Sequence, residues 1–334
     1  MKHINVALFV PHEGCPHMCS FCNQKTISGS AEKLTKEDID NAVSIAVSKE
    51  YDSENSEIAF FGGSFTAIEE DYMTYLLECA YPYVKNGMFR GIRCSTRPDA
   101  INEKVLGILK RYGVTAIELG AQSMDDVVLA MNDRGHTAED VVKASEMIKQ
   151  HGFELGLQMM TGLYGDTDEK TVATAEKIIA LRPETVRIYP TVVLEKTRLE
   201  LLYRNGEYTP QSVESAAEIC SELLSMFDAS GIRVIRLGLH SGGNVDEGYV
   251  AGAYHPAFRE ICESRIYLKK CQKQIKEKNC RGSVKIFVNP SEISKMTGQK
   301  RSNILFLEQQ GIHAKVYPDE SLGRYELLIE EIEE

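Results

Sequence analysis

Six short apolar runs, each closed by Gly, Pro or polar residues and each followed by residues of helical period, organise residues 1–193. They are NVALFVP (5–11), IAFFGGSF (58–65), GIRCSTRP (91–98), VTAIELGAQ (114–122), LGLQMMTGL (155–163) and TVRIYPTVV (185–193). Their apolar content is nearly continuous rather than alternating, the pattern of buried parallel strands. The intervening segments carry helix signals. Thr35 stands as an N-cap with Asp38 three residues on, and the segment 137–152 closes on Gly152, a natural C-terminal stop. Strict β/α alternation implies a parallel sheet. A complete eight-fold barrel needs ~250 residues. Six units in 193 residues therefore predict an α/β chain folded as an open, partial (β/α)6 TIM-like barrel. Chemistry in such barrels gathers at the C-terminal strand ends. GGSF, STRPD, ELGAQS, QMMTGL and YPT all fall there.

A further helical stretch and the apolar run GIRVIRLGLH (231–240) extend this first domain, read as residues 1–240. Residues 241–281 read as a basic helix and linker. Residues 282–334 read as a small α/β domain: strand SVKIFV, helix, GQKR turn, helix, then strands AKVYP and YELLI. Charge follows this division. The chain carries −11 overall, yet eleven Lys/Arg stand between Arg265 and Arg301 against two acids, Glu277 and Glu292. A uniformly acidic protein would repel nucleic acid, whereas a local basic stretch supplies an electrostatic footprint for it. No apolar run approaches the ~18 residues of a membrane span. The N-terminus lacks a signal-peptide core, so the sequence predicts a cytoplasmic protein that does not engage a membrane. Its nine cysteines are then reduced thiols or metal ligands.

Three of them, Cys15, Cys19 and Cys22, sit in GCPHMCSFCNQ with CxxxCxxC spacing. Thiolates suit zinc or an iron–sulfur cluster. Zinc usually takes paired CxxC units or Cys/His pairs; no second knuckle follows, although His12 or His17 could complete a Cys3His site. The other reading is a 4Fe–4S cluster held by three thiolates, with one iron open to chemistry. Cys79, Cys94 and Cys220 lie in apolar periodic segments and read as core. Cys262, Cys271 and Cys280 are nine apart, so successive members face opposite sides of one helix and do not share a metal.

CPHMCSFC resembles the cluster motif of the radical S-adenosylmethionine (radical SAM) superfamily, with Phe21 as the aromatic before the last cysteine. The resemblance covers roughly residues 5–193. It implies an enzyme whose 4Fe–4S cluster, on Cys15, Cys19 and Cys22, binds S-adenosylmethionine and yields a 5′-deoxyadenosyl radical. It implies further cofactor contacts. FFGGSF resembles the motif that holds the methionine end, through Gly62, Gly63 and Ser64, with Ser64 where the family often has Glu. Phe21 is placed near the adenine. STRPD brings Ser95 and Arg97 to ribose and carboxylate. ELGAQS and RGHT bring Glu118, Gln122 and Arg134, and Gln158 and Tyr189 line the cavity at later strand ends. The radical quencher and the remaining catalytic residues are not legible in the sequence.

FGGSFTAI, STRPD, ELGAQSMDD, RGHT and GLYGDT together are most similar to the branch containing the radical-SAM domain of the Elongator catalytic subunit, which modifies tRNA. That subunit has a longer cysteine spacing and a C-terminal acetyltransferase domain; the short stretch after residue 282 is not expected to be one, so acetyl transfer is not expected here. Residues 291–318 resemble a KH-type RNA-binding module, whose GxxG loop clamps single-stranded backbone. Here the loop is Gly298-Gln299-Lys300-Arg301, with Arg in place of the second glycine. The expectation is a radical SAM enzyme acting on RNA, a tRNA, with Gly298, Lys300 and Arg301 as RNA contacts and flavodoxin or ferredoxin as electron donor. The alternatives are a radical SAM enzyme on a small metabolite such as a tetrapyrrole, and a non-catalytic RNA-binding protein with structural zinc.

Overall fold

The structure, a computed structural model, describes residues 5–10, 18–23, 33–48, 51–239 and 248–332. Strand β1 (Asn5–Val10) leads, after the cysteine segment, to α1 (Lys36–Val47). The Thr35 hydroxyl accepts from the Asp38 amide and the Asp38 carboxylate accepts from the Thr35 amide, the capping box expected from the sequence. There follow β2 (Glu57–Gly62), α2 (Glu70–Lys85), β3 (Gly91–Thr96), α3 (Glu103–Arg111) and β4 (Val114–Gln122). Two helices, α4 (Asp126–Met131) and α5 (Ala138–Gln150), separate β4 from β5 (Glu154–Thr161). Then come α6 (Asp168–Ala180), β6 (Thr185–Pro190), a short β7 (Val192–Leu194), α7 (Arg198–Arg204), α8 (Val213–Ala229) and β8 (Arg233–Leu237).

Strands β1, β2, β3, β4, β5, β6 and β8 form one parallel sheet in that order, curled into an open half-barrel. The six-unit expectation is one strand short. The run at 231–240 extends the same sheet, because β8 pairs parallel to β6. The two faces of the sheet differ. Ile58, Phe60, Ile92, Cys94, Ile117, Leu119, Leu157 and Ile188 are fully or almost fully buried in one cluster with Ile39, Leu76, Leu106 and Ile148 from the helices. Each such side chain stabilises the fold by about 1.5–3 kcal/mol relative to exposure. By the two-residue period of a strand, the opposite face carries Glu57, Arg93, Glu118, Gln158 and Arg187.

That polar face is paired internally. Arg93 Nε donates to Glu57 at 2.8 Å, and its Nη1 donates to Glu118 at 3.2 Å. Arg187 Nη2 donates to the same Glu118 at 2.9 Å, and its guanidinium lies 5.0 Å from the Phe61 ring centre. Gly156 makes room for this layer: a Cβ there would lie 2.8 Å from Glu118 Cγ.

Beyond the sheet, β9 (Tyr249–Gly252) pairs antiparallel with β7. The basic helix expected within 241–281 is α9 (Phe258–Lys278), and it is built into the core through Phe258, Cys262, Ile266, Tyr267 and Cys271. It packs on α8. It also packs on the small α/β unit formed by β10 (Gly282–Val288), α10 (Ile293–Thr297), α11 (Ser302–Gln309), β11 (Ile312–Pro318) and β12 (Leu327–Glu331). In that unit β10 is central, parallel to β11 and antiparallel to β12.

The basic charges of this region are largely structural. Arg265 and Lys269 are paired with Glu218. Lys270 and Lys278 donate to the carbonyls of Tyr325 and Ile329. Lys295 lies between Glu263 and Glu292. The turn between α10 and α11 has Gly298 at φ +79, then Lys300 (φ 50) and Arg301 (φ 64), both left-handed. Arg301 thus adopts the backbone that a second glycine would favour.

Candidate active site at the barrel mouth

The cysteine segment enters the described structure at residues 18–23, where Arg134 links Cys19 to the Gly120 carbonyl near the end of β4. Cys22 closes a turn by donating its amide to the Cys19 carbonyl at 3.0 Å. Cys19 is buried and Cys22 half-buried. Cys15, His12 and His17 lie outside the described residues. Accordingly, no group of three or more His, Cys, Asp or Glu forms a metal site among the described residues.

The segment is held by residues distant in sequence. The Ser20 hydroxyl donates to Asn132 Oδ1 at 2.6 Å, and the Ser20 amide donates to the Asn132 carbonyl at 3.1 Å. Asn132, itself fully buried, donates onward to the carbonyls of Val128 and Tyr164. The Leu199 amide at the start of α7 donates to the Ser20 carbonyl at 2.7 Å, and Asn23 donates to the Glu195 carbonyl. Phe21 packs on Val193, Leu199, Leu202 and Tyr208.

One arginine meets Cys19 and a second braces the first. Arg134 Nη1 donates to Cys19 Sγ at 3.2 Å and Nη2 donates to the Gly120 carbonyl at 2.7 Å. Arg97 Nη2 donates to the Arg134 carbonyl at 2.6 Å, and Arg97 grips Asp99 through Nε and Nη2. Two donors are left over: Arg134 Nε and Arg97 Nη1 are buried with no hydrogen-bond partner among the described residues. Buried guanidinium N–H groups are costly unless an acceptor meets them. A carboxylate-bearing ligand and a thiolate-bound cluster are anionic partners of the right kind, so the donor set fits the expected cofactors.

Other sequence-named residues converge less evenly. Gly62 (φ +115) lets β2 pass close to β1, since a Cβ there would stand 2.4 Å from the Val10 carbonyl oxygen. Gly63 and the buried Ser64 follow at the strand end. Gln122 sits in a bulge of β4 with φ 64 and accepts from Gln158 Nε2 at 3.3 Å. Ser95 lies on β3 in register with Glu118. Glu118 differs from the rest: its carboxylate is engaged by Arg93 and Arg187 within the barrel. Sequence reasoning did not single out Asn132, Asp99, Arg93 or Arg187. Asn132 stands two residues before the RGHT segment, the one sequence signal that could have found it.

His136 adds a pH-sensitive element. Its Nε2–H donates to the Ala121 carbonyl at 3.3 Å while Nδ1 is buried without a partner among the described residues. Burial, then the nearby Arg134 charge, push the imidazole down to about 4. The unfolded value is about 6.5. A base depressed on folding leaves stability complete above about 6.5 and lost as pH falls toward 4. Between pH 7.5 and 5 this amounts to roughly 2 kcal/mol. His136→Gln is therefore expected to reduce the loss of unfolding free energy between pH 7.5 and 5, read from urea titrations, by that amount; an unchanged pH dependence would remove His136 from the account.

A cleft of about 460 Å³ opens beside the end of β5, lined by Gly162, Tyr164, Asp166, Tyr208 and Gln211. Asp166 organises its loop, accepting from the Gly162 and Thr167 amides and the Thr171 hydroxyl. A larger groove of about 630 Å³ lies between α2 and α3 and is lined by residues of the helical layer, including Glu70, Glu103 and Arg111. It contains none of the groups described above.

A parallel half-barrel carries, near the end of β4, a loop with two described thiols, one of which, Cys19, is met by the Arg134 guanidinium. The chain belongs to the radical SAM superfamily: the model for that superfamily matches residues 9–178, and the Radical SAM C-terminal domain matches residues 183–268. Enzymes of this class use a 4Fe–4S cluster and S-adenosylmethionine, and this chain is one of them. It is 29% identical over 185 residues to a tRNA uridine(34) acetyltransferase of Methanocaldococcus infernus, covering 49% of this chain and 35% of the relative. It is 27% identical to human Elongator complex protein 3, covering 51% of this chain and 35% of the relative. The chain thus spans about a third of the length of these two relatives. The solved structure of Methanocaldococcus infernus Elp3 with its N-terminus deleted shares the fold, with a TM-score of 0.64 at 22% identity, covering 81% of this chain and 64% of that one.

No helix among the described residues is long and apolar enough to cross a membrane.

Proposed function

We propose that this enzyme modifies RNA, specifically a tRNA, in the cytoplasm. The observation that carries the RNA reading is the match of 49% of the chain to a relative named for a tRNA position. Cys15, Cys19 and Cys22 are the proposed cluster ligands. The chemistry supplied by the bound cofactors is one-electron cleavage of S-adenosylmethionine to methionine and a 5′-deoxyadenosyl radical. The chain's own residues bind and orient. Arg97 and Arg134 offer their unpartnered N–H groups to the amino-acid carboxylate. Gly62 to Ser64 present backbone to the methionine end, Ser95, Gln122 and Gln158 line the ribose side, and Phe21 covers the adenine. Glu118 acts on this site through the sheet, by holding Arg93 and Arg187. A small electron carrier such as flavodoxin or ferredoxin supplies the electron.

The test is anaerobic turnover with reductant and S-adenosylmethionine, following 5′-deoxyadenosine with and without unmodified tRNA. tRNA is expected to raise the yield severalfold and to acquire a mass change. Stimulation by a tetrapyrrole and none by tRNA would replace the RNA reading with a small-metabolite one.

A further inference from the structure

The sheet β11-β10-β12 has two unlike faces. Val284, Ile286, Val288, Ile312, Ala314, Leu327 and Ile329 point into the core. The alternate positions point away from it: Lys285 and Phe287 on β10, His313, Lys315 and Tyr317 on β11, Leu328 and Glu330 on β12. Tyr317 is 36% exposed and Leu328 40% exposed. Phe287 is in register with both Tyr317 and Leu328, and the Phe287 and Tyr317 rings lie 5.7 Å apart, tilted by 31°. Beside the rings, Lys285 is in register with Lys315. Like charges facing each other across strands are unfavourable for folding alone. Neither lysine has a carboxylate within 4.0 Å among the described residues, although Glu330 stands across from Lys285.

We propose that this open face is a stacking platform for a single-stranded segment of RNA, running over β10 and β11. The inference rests on the RNA reading above and gives it a place. The exposed Tyr317 ring and the half-buried Phe287 ring on adjacent strands offer π-faces to successive bases, and neighbouring lysines meet the phosphates. Charge complementarity favours RNA over a protein partner: Lys285 and Lys315 stand in register beside the rings, with Glu330 across from Lys285, in a chain of net charge −11. Elsewhere in the basic stretch, Arg265, Lys269, Lys270, Lys278 and Lys295 are engaged within the fold. The platform also lies beyond residue 268, outside both family matches.

The test uses the full chain, a fluorescent oligouridine of about 12 nucleotides, which spans one typical single-strand site, and an unmodified tRNA transcript. Phe287→Ala/Tyr317→Ala is expected to weaken binding at least about tenfold. Lys315→Glu should weaken binding and reduce the slope of log K against log salt by about one. 5′-Deoxyadenosine formed without RNA should stay unchanged in both, and both should still unfold in one cooperative transition. Photocrosslinks from 4-thiouridine should map to 283–288 and 313–317. Wild-type affinity in the aromatic variant, or crosslinks confined to 298–301 in the turn or to the barrel mouth, overturns the platform while leaving the RNA reading intact. A wild-type chain that binds neither probe overturns both. If the aromatic variant loses a copurifying protein but not RNA, the face belongs to that protein and the proposal fails.

Discussion

Cys22→Ser, reconstituted anaerobically with iron and sulfide, is expected to lose the brown absorption near ~400 nm and nearly all bound iron. Formation of 5′-deoxyadenosine should fall with it. The loss should exceed the 10–100-fold typical of removing a residue that merely orients a ligand. The reason is geometric. Cys22 and Cys19 are the two ends of one hydrogen-bonded turn, so a serine at 22 leaves the turn intact and removes only the sulfur. Thermal stability of the iron-free protein should therefore change little, which separates lost chemistry from lost fold. Full iron content and full activity in the variant would show that Cys22 is not a ligand.

Glu118→Ala carries the largest expected effect on stability, a loss of about 3–5 kcal/mol. The carboxylate is buried and serves two arginines. Arg93 would keep Glu57 at 2.8 Å and Glu154 at 3.7 Å. Arg187 would keep no carboxylate among the described residues, only the Tyr189 hydroxyl and the Phe61 ring. Burial opposes the charge on both guanidiniums, but the neighbouring carboxylates prevail and hold both above the ordinary arginine value. Removing Glu118 reverses that balance for Arg187. The measurement is urea unfolding of the wild type, Glu118→Ala and Glu118→Gln. A loss below about 1 kcal/mol in the alanine variant would match an exposed pair and contradict the buried network.

Much of the half-barrel is legible in the sequence because its punctuation is local. Thr35 with Asp38, Gly152 after its helix, and the apolar runs each act within a few residues. The run at 231–240 is visible as apolar, but its place beside β6 is not, because a long helical insertion, α7 and α8, separates the two strands. The polar face of the sheet escaped for a different reason: strands rich in Ile, Leu and Val were counted for content, and content hides direction. Arg93, Glu118 and Arg187 are single polar residues in apolar company, yet they share one face. The contact of Arg134 with Cys19 joins residues 115 positions apart, and no local pattern encodes it. The basic stretch misleads for a related reason, since Glu218, which neutralises Arg265 and Lys269, lies in a distant helix. Arg301 shows the reverse: the replaced glycine suggested a departure from the GxxG turn, while the backbone keeps a glycine-like φ.

The clamp of Asn132 and Leu199 on Ser20 bears on how this protein is assembled. In many small metal sites, ion capture and chain ordering are one event, and the bonds to the metal must overcome the entropy of gathering their ligands. Here, hydrogen bonds between protein groups already fix the backbone between Cys19 and Cys22. The entropy of ordering that segment is absorbed during folding, and incoming iron meets two thiols in a preset arrangement. Loading can then be a late and repeatable step, in which iron leaves and returns while the barrel stays folded.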